Sequence, residues 1–324
     1  LHLSLVACDV RRGDEVIVPS LTFVATANVV KYCGAEPVFV DCDDETLCLN
    51  VEKLRIFLRM ECEQKDNGYT YNKISGRRVK AIIPVHIFGH PVEMDALLEI
   101  CQLYNIDIIE DATESLGSEY KGEKTGSFGK LACFSFNGNK MITTGGGGMV
   151  VTNDGGLAER IKHLSTQAKN DSVEYDHDEV GYNYRLTNIQ AAMGVAQMEC
   201  LDKFVEIKRK NAFGYQNLIS SIDGIEFLWE KPWVKSNFWF YTVKVSNGHK
   251  KSLMDYLISK NIQVRPIWKP IHTLPMYEYC QAYKIENTIN IYETAFNLPC
   301  SVSLKEDEIL FVVKNINKYF KALQ

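Results

Sequence analysis

The stretch Val79-Lys80-Ala81-Ile82-Ile83-Pro84-Val85-His86 is followed by residues 91–104 and then by Ile106-Asp107-Ile108-Ile109-Glu110. The outer two pieces are short, rich in β-branched residues and apolar almost throughout. Between them Met94, Leu97, Leu98 and Cys101 recur at helical spacing, and Pro91 suits a first helical turn. A strand that is apolar on both faces is covered on both sides, and strands joined through a helix pair in parallel. This unit predicts an α/β fold.

The alternation continues outward. Strand-like runs fall at 15–19, 37–41, 131–136 and 149–152, and a helix over 22–32 stops at Gly34, a suitable C-cap. The expectation is a mostly parallel central sheet covered by helices, with ligands at the carboxyl ends of the strands. Residues 60–78 interrupt the pattern. They are polar, carry the turn signals Asn67-Gly68 and Ser75-Gly76, and read as a β-hairpin that is either a decoration or a lid.

Ile189, Met193, Ala196 and Cys200 share one face of a predicted long helix that runs past Phe204. Beyond it the pattern becomes α+β. Strands are expected at 238–246 and 262–267, a helix at 252–260, and a terminal helix carrying Ile309, Val313, Ile316 and Phe320. This divides the chain into a large domain, 1–210, and a smaller C-terminal α+β domain, 211–324.

A net charge of −5 over 324 residues argues against a nucleic-acid binder. The densest basic run, Lys208-Arg209-Lys210, lies in a helical pattern and reads as a solvated face. Ten cysteines without a Cys-x-x-Cys pair disfavour a metal site and suit a reducing compartment. The apolar opening, residues 1–8, is too short for a membrane span. The chain is expected in the cytoplasm, with neither nucleic acid nor membrane as partner. Asn170-Asp171-Ser172 matches a glycosylation acceptor at chance level only.

Two residues carry the chemistry. Lys140 closes the run Cys133-Phe134-Ser135-Phe136-Asn137-Gly138-Asn139-Lys140 ahead of Gly145 to Gly148. An amine held at a sheet edge can form a Schiff base with a carbonyl; a solvated surface lysine is the alternative. Asp111 ends an apolar strand, where a carboxylate is costly unless paired. A protonated pyridine nitrogen is a fitting partner, and a helix N-cap is the competing role. Ser135 can offer a hydroxyl to phosphate, Phe23 can cover a ring face, and the glycines allow close backbone approach. No dinucleotide, P-loop or hydrolase motif is present; Gly122 to Lys130 has the wrong glycine spacing for a P-loop.

Several blocks together resemble the DegT/DnrJ/StrS-type nucleotide-sugar aminotransferases over essentially the whole chain. They are residues 13–26, 37–41 and 84–89, Glu110-Asp111-Ala112-Thr113-Glu114-Ser115-Leu116-Gly117, the 135–140 block with Thr143-Thr144-Gly145, and Gly181-Tyr182-Asn183-Tyr184-Arg185-Leu186-Thr187. The resemblance implies a fold type I, aspartate-aminotransferase-like enzyme that uses pyridoxal 5'-phosphate. Lys140 would hold the cofactor and move the proton, and Asp111 would face the pyridine nitrogen. Glu114 would face the ring hydroxyl, Phe23 would stack on the ring, and Ser135 would bind phosphate. Asn183 would reach the phosphate of a neighbouring subunit, making a homodimer with shared sites. The implied reaction moves an amino group from glutamate to a ketone on a nucleotide-linked sugar. A dehydratase, which in this family replaces the lysine by histidine, and a catalytically idle relative are the other readings.

Asn137-Gly138-Asn139-Lys140, the 60–78 insertion, residues 165–169 and Arg265-Pro266 with Trp268 resemble the LegC group, which aminates C4 of UDP-4-keto-6-deoxy-N-acetylglucosamine. Perosamine synthases, acting on a GDP-sugar, are the competitor. His86, Arg265 and His272 are the candidates for contacting the sugar nucleotide, with a surface salt bridge for Arg265 and core hydrogen bonding for either histidine as the alternatives. An N-terminal segment of the family, ending in a Gly-Thr-(Ser/Ala)-Ala turn, falls just before Leu1. Part of the phosphate cradle is therefore expected to be missing from this sequence.

Overall fold

A computed structural model of the chain describes residues 1–171 and 173–323. Ser172, the last residue of the Asn-Asp-Ser triplet, lies outside the described residues. The central sheet has seven strands. They are β1 (Glu15–Pro19), β2 (Glu36–Val40), β3 (Val79–Ile82), β4 (Asp107–Asp111), β5 (Leu131–Ser135), β6 (Gly148–Val151) and β7 (Ala282–Tyr283). Their order across the sheet is β6-β5-β4-β3-β1-β2-β7. All neighbours are parallel except β6, which runs antiparallel to β5.

The unbroken apolar runs serve two cores. Val16 and Val18 enter a hydrophobic cluster on one face, Ile17 a cluster on the other, and all three are fully buried. Ile82 and Ile108 join Ile17, while Ala81 and Ile109 join Val16. Each of these valines and isoleucines contributes about 1.5–3 kcal/mol on burial. Helices Ala25–Tyr32, Val51–Glu61 and Met94–Leu103 make the crossovers between successive parallel strands. The parallel register puts Pro19, Val40, Ile82, Asp111 and Ser135 at one edge of the sheet.

The 60–78 excursion is a hairpin of Cys62–Gln64 and Thr70–Asn72. Asn72 Nδ2 donates to Glu15 Oε2 at 2.8 Å, and Glu15 begins β1. The hairpin therefore sits at the amino edge, opposite the strand ends that would carry a site, and is not a lid.

A four-stranded antiparallel sheet orders Ile225–Phe227, Tyr241–Val245, Ala295–Leu298 and Arg265–Pro266. With helices Leu201–Ile219, Lys250–Ser259 and Glu306–Lys321 it encloses a third core. Leu201 and Val205 belong to the first core, whereas Ala212, Tyr215 and Ile219 belong to this one, so a single helix joins the two. The chain then returns, and β7 adds itself in parallel to β2. Beside that junction the buried Asp41 carboxylate takes the N–H groups of Glu286, Asn287 and Thr288, the Thr288 hydroxyl and the Lys53 amine.

Three expectations change. The long helix is two helices, Asn188–Met198 and Leu201–Ile219. The N–H groups of Glu199 and Cys200 turn back onto Val195 and Gln197, tightening the last turn and ending the first helix. Its apolar face is exposed, with Ile189 at 76%. The basic run is not a solvated face: Lys208 is buried, donating to the carbonyls of Trp239 and Cys300, and Arg209 pairs with Glu230. The strand expected at 262–267 contracts to Arg265–Pro266.

Candidate active site

Asp111 is the last residue of β4, and Ser135 the last of β5. Lys140 lies beyond β5 in a turn closed by its own N–H on the Asn137 carbonyl, not on the strand itself. The glycine run carries the chain from this turn back into β6. A cavity of about 320 Å³ opens at this edge of the sheet and is lined by Phe23, Thr26, Asp111, Glu114, Ser135 and Lys140. Five residues named from the sequence are thus brought together. Trp239, Phe240 and Trp268, which the sequence reading gave no catalytic role, also line it.

The buried Asp111 carboxylate is held by hydroxyls. Thr26 Oγ1 donates to Oδ2 at 2.8 Å and Thr113 Oγ1 to Oδ1 at 2.6 Å. Thr22 sits 3.1 Å from Thr26 Oγ1; since the Thr26 proton points at Asp111, Thr22 donates to Thr26. No helix follows Asp111, which disposes of the N-cap role. Among the described residues Asp111 has no cation within ion-pairing distance. A buried carboxyl that only accepts hydrogen bonds from neutral donors, with a cavity in front of it, is a socket for a cation.

Glu114 is 3% exposed. Its Oε2 accepts the Phe88 N–H at 2.7 Å, and its Oε1 lies 3.9 Å from Lys140 Nζ. Burial pushes the Glu114 carboxyl up, against the pull of the Lys140 charge. Burial likewise pushes the Lys140 amine down from the ordinary lysine range, against the attraction of Glu114 and Asp111. An amine lowered in this way is more nucleophilic near neutrality and a better proton acceptor for catalysis. The Phe88 N–H is aimed by a left-handed turn, φ 55° at Phe88 and 94° at Gly89. A Cβ at Gly89 would lie 1.9 Å from Asn237 Oδ1, so this turn needs glycine.

The remaining candidates lie elsewhere. His86 is fully buried: Nδ1 accepts the Val92 N–H, so Nε2 carries the proton and donates to Glu110 Oε2 at 2.9 Å. Both ring nitrogens are used inside the protein, and His86 is not a sugar contact. Arg265 is exposed in the edge strand opposite Asn297 and does not line the cavity. His272 is half-buried on Ser20 Oγ at 2.5 Å, also outside the lining. Asn183 is exposed and bridged to Thr166, likewise away from the cavity. The glycine-rich 122–130 stretch does bind an anion, but an internal one: the N–H groups of Gly126, Phe128 and Gly129 all donate to Glu110.

Residues 1–317 match the DegT/DnrJ/EryC1/StrS aminotransferase family. The chain belongs to this family. It is 39% identical over 322 residues to the GDP-perosamine synthase of Escherichia coli O157:H7, covering 99% of this chain and 83% of that protein. It is 40% identical over 329 residues to EpsN of Bacillus subtilis (strain 168), provisionally named a pyridoxal phosphate-dependent aminotransferase, covering 100% of this chain and 82% of EpsN. Among solved structures, a family aminotransferase from Brucella abortus superposes with a TM-score of 0.90 at 27% identity, covering 99% and 83% of the two chains. DesV of S. venezuelae does so with a TM-score of 0.88 at 27% identity, covering 99% and 82%.

The fold is therefore fold type I, and the enzyme is a sugar aminotransferase that uses pyridoxal phosphate. The site fits that cofactor on its own terms. It offers a buried amine for the aldehyde, an unpaired buried carboxylate for a ring cation, and the half-exposed Phe23 ring on the cavity wall. When bound, the cofactor supplies an electron sink for the carbon that loses or gains a proton. No helix is long and apolar enough to cross a membrane among the described residues.

Proposed function

We propose that the enzyme transfers an amino group from glutamate to the C4 ketone of a nucleotide-linked 4-keto-6-deoxy sugar, with UDP-4-keto-6-deoxy-N-acetylglucosamine as acceptor. The observation that carries it is the convergence of the Lys140 amine and the Asp111 carboxylate on one cavity. Lys140 Nζ would hold the cofactor and, when free of it, would take and return the proton. Asp111, fixed by Thr26 and Thr113, keeps the ring nitrogen protonated. Glu114 would face the ring hydroxyl from beside Lys140, Phe23 would cover a ring face and Ser135 would hold phosphate. Burial by Trp239 and Trp268 keeps water from the amine.

The UDP assignment rests on the sequence blocks around Asn137–Lys140 and the 60–78 insertion. A GDP-linked acceptor is the second reading, favoured by relatives named GDP-perosamine synthase at 39%, 37% and 34% identity. The same proposal makes the enzyme a homodimer with shared sites. The exposed Asn183 and a neighbouring helix, Asn188–Met198, without one buried residue support a partner surface there. Mass spectrometry of products from UDP- and GDP-linked 4-keto-6-deoxy sugars with glutamate tests the reading. An amine on the UDP-sugar supports it, an amine only on the GDP-sugar establishes the second reading, and deoxygenated product or no amine on either overturns both.

A further inference from the structure

Lys140 Nζ stands 3.9 Å from the centroid of the Trp239 ring, and among the described residues this amine makes no hydrogen bond. The indole is fixed from several sides. Its Nε1–H donates to the Asn139 carbonyl at 2.7 Å, tying it to the turn that carries Lys140. Its backbone N–H donates to Asn237 Oδ1 at 2.8 Å, and its carbonyl accepts the buried Lys208 amine at 2.7 Å. Asn237 in turn donates to the carbonyls of Glu114 and Leu116. The ring stacks on Phe240 with centroids 3.9 Å apart. Trp239 is thus locked to the Lys140 turn, to the Glu114 segment and to the connecting helix.

We propose that the indole face of Trp239 is the resting place of the Lys140 ammonium whenever that side chain is free of the cofactor, making Trp239 a positioning residue for the proton-transfer amine. The chemistry explains the choice of group. A carboxylate in hydrogen-bonding contact would accept a directed bond and hold the proton on the amine. A π face attracts the cation without offering a localised lone pair. The charged groups acting on this amine, Glu114 and Asp111, are both in the segment that ends β4, and Glu114 stays at 3.9 Å, beyond hydrogen-bond length. The amine is therefore held within reach of the ring while remaining able to give up its proton.

This inference rests on Lys140 being the amine that the donor displaces, and the test separates the two. The full-length, cofactor-loaded enzyme is grown with [6-13C]lysine, and the Lys140 εCH2 signal is assigned by its loss in Lys140→Arg. Saturating glutamate without sugar acceptor then releases the side chain. The expected result is a released signal displaced upfield of the other lysines by the indole ring current. The displacement should fall roughly twofold in Trp239→Phe, whose ring binds cations less well, and vanish in Trp239→Leu, where the amine also titrates at lower pH. If glutamate leaves the Lys140 signal unchanged, the assignment of the displaced amine fails, and this inference with it. If the signal changes but lies among the surface lysines, or keeps its position in Trp239→Leu, Lys140 is the amine and Trp239 does not hold it. Should Trp239→Leu not fold, the wild-type signal and Trp239→Phe decide.

Discussion

Glu110 and Asp111 are adjacent, buried and acidic, yet their surroundings are opposite. Glu110 is closed: His86 Nε2 and the N–H groups of Gly126, Phe128 and Gly129 occupy its oxygens. Burial alone would push its pKa up, but the bonds from His86, Gly129 and Gly126 outweigh burial and bring it below the ordinary value. Asp111 is open: hydroxyls orient it, no cation among the described residues neutralises it, and it faces the cavity. Alternation along a strand sends consecutive side chains to opposite faces, so one acid braces the fold while its neighbour remains available for a ligand.

The sharpest way to break this contrast starts with the amine that shares the cavity with Asp111. Lys140→Ala should lower turnover by at least about 10⁴-fold, the upper end of what general acid–base catalysis supplies. It should also remove any visible absorption band that borohydride abolishes in the native enzyme. Asp111→Asn keeps the shape and removes the charge. Turnover should fall roughly 10²–10³-fold, as for loss of a preorganised electrostatic group, while the melting temperature of the cofactor-free protein holds or rises. A large loss of stability would show that Asp111 is structural after all.

Glu110→Gln should do the reverse. Unfolding titrations should show about 1.5–3 kcal/mol less stability, as for weakened hydrogen bonds to a buried charged group, with turnover of the folded fraction changed only a few-fold. Because the folded-state pKa of Glu110 is depressed, its contribution is present above the unfolded carboxylate value and lost as pH falls through the folded one. Stability of the native protein should thus drop below about pH 4, and Glu110→Gln should flatten that limb. Glu114→Gln has the smallest effect. Removing the carboxylate that holds the Lys140 amine up should move the Lys140 limb of the pH–rate profile to lower pH. A limb that stays in place would mean that the two groups are not coupled.

Much of this was legible in the sequence because the signals were local. Apolar runs between helical segments gave β1 to β6 to within a few residues, and a carboxylate ending one such run marked Asp111; the two-residue β7, paired to β2 from the far end of the chain, left no local signal. His86 stood open between a sugar contact and a core hydrogen bond because a histidine at a strand end looks the same whether it faces a ligand or a buried glutamate; the structure gives it the second role, on Glu110. Trp239 and Asn237 escaped notice because their partners, Asn139, Glu114 and Lys208, are distant in sequence and no spacing rule connects them. The Lys208–Lys210 run was misread for the same reason: two backbone carbonyls, invisible to composition, make a buried ammonium tolerable.

The short strand β7 and the Asp41 clip have a consequence for how the protein is made. Asp41 and Thr288 meet across 247 positions of chain. During synthesis the free edge of β2 must wait, uncovered, until residues 282–288 have left the ribosome. Such long-range closure is slow, and an open strand edge invites pairing with other chains. The nascent enzyme is therefore most exposed to aggregation just before β7 and the Thr288 turn arrive.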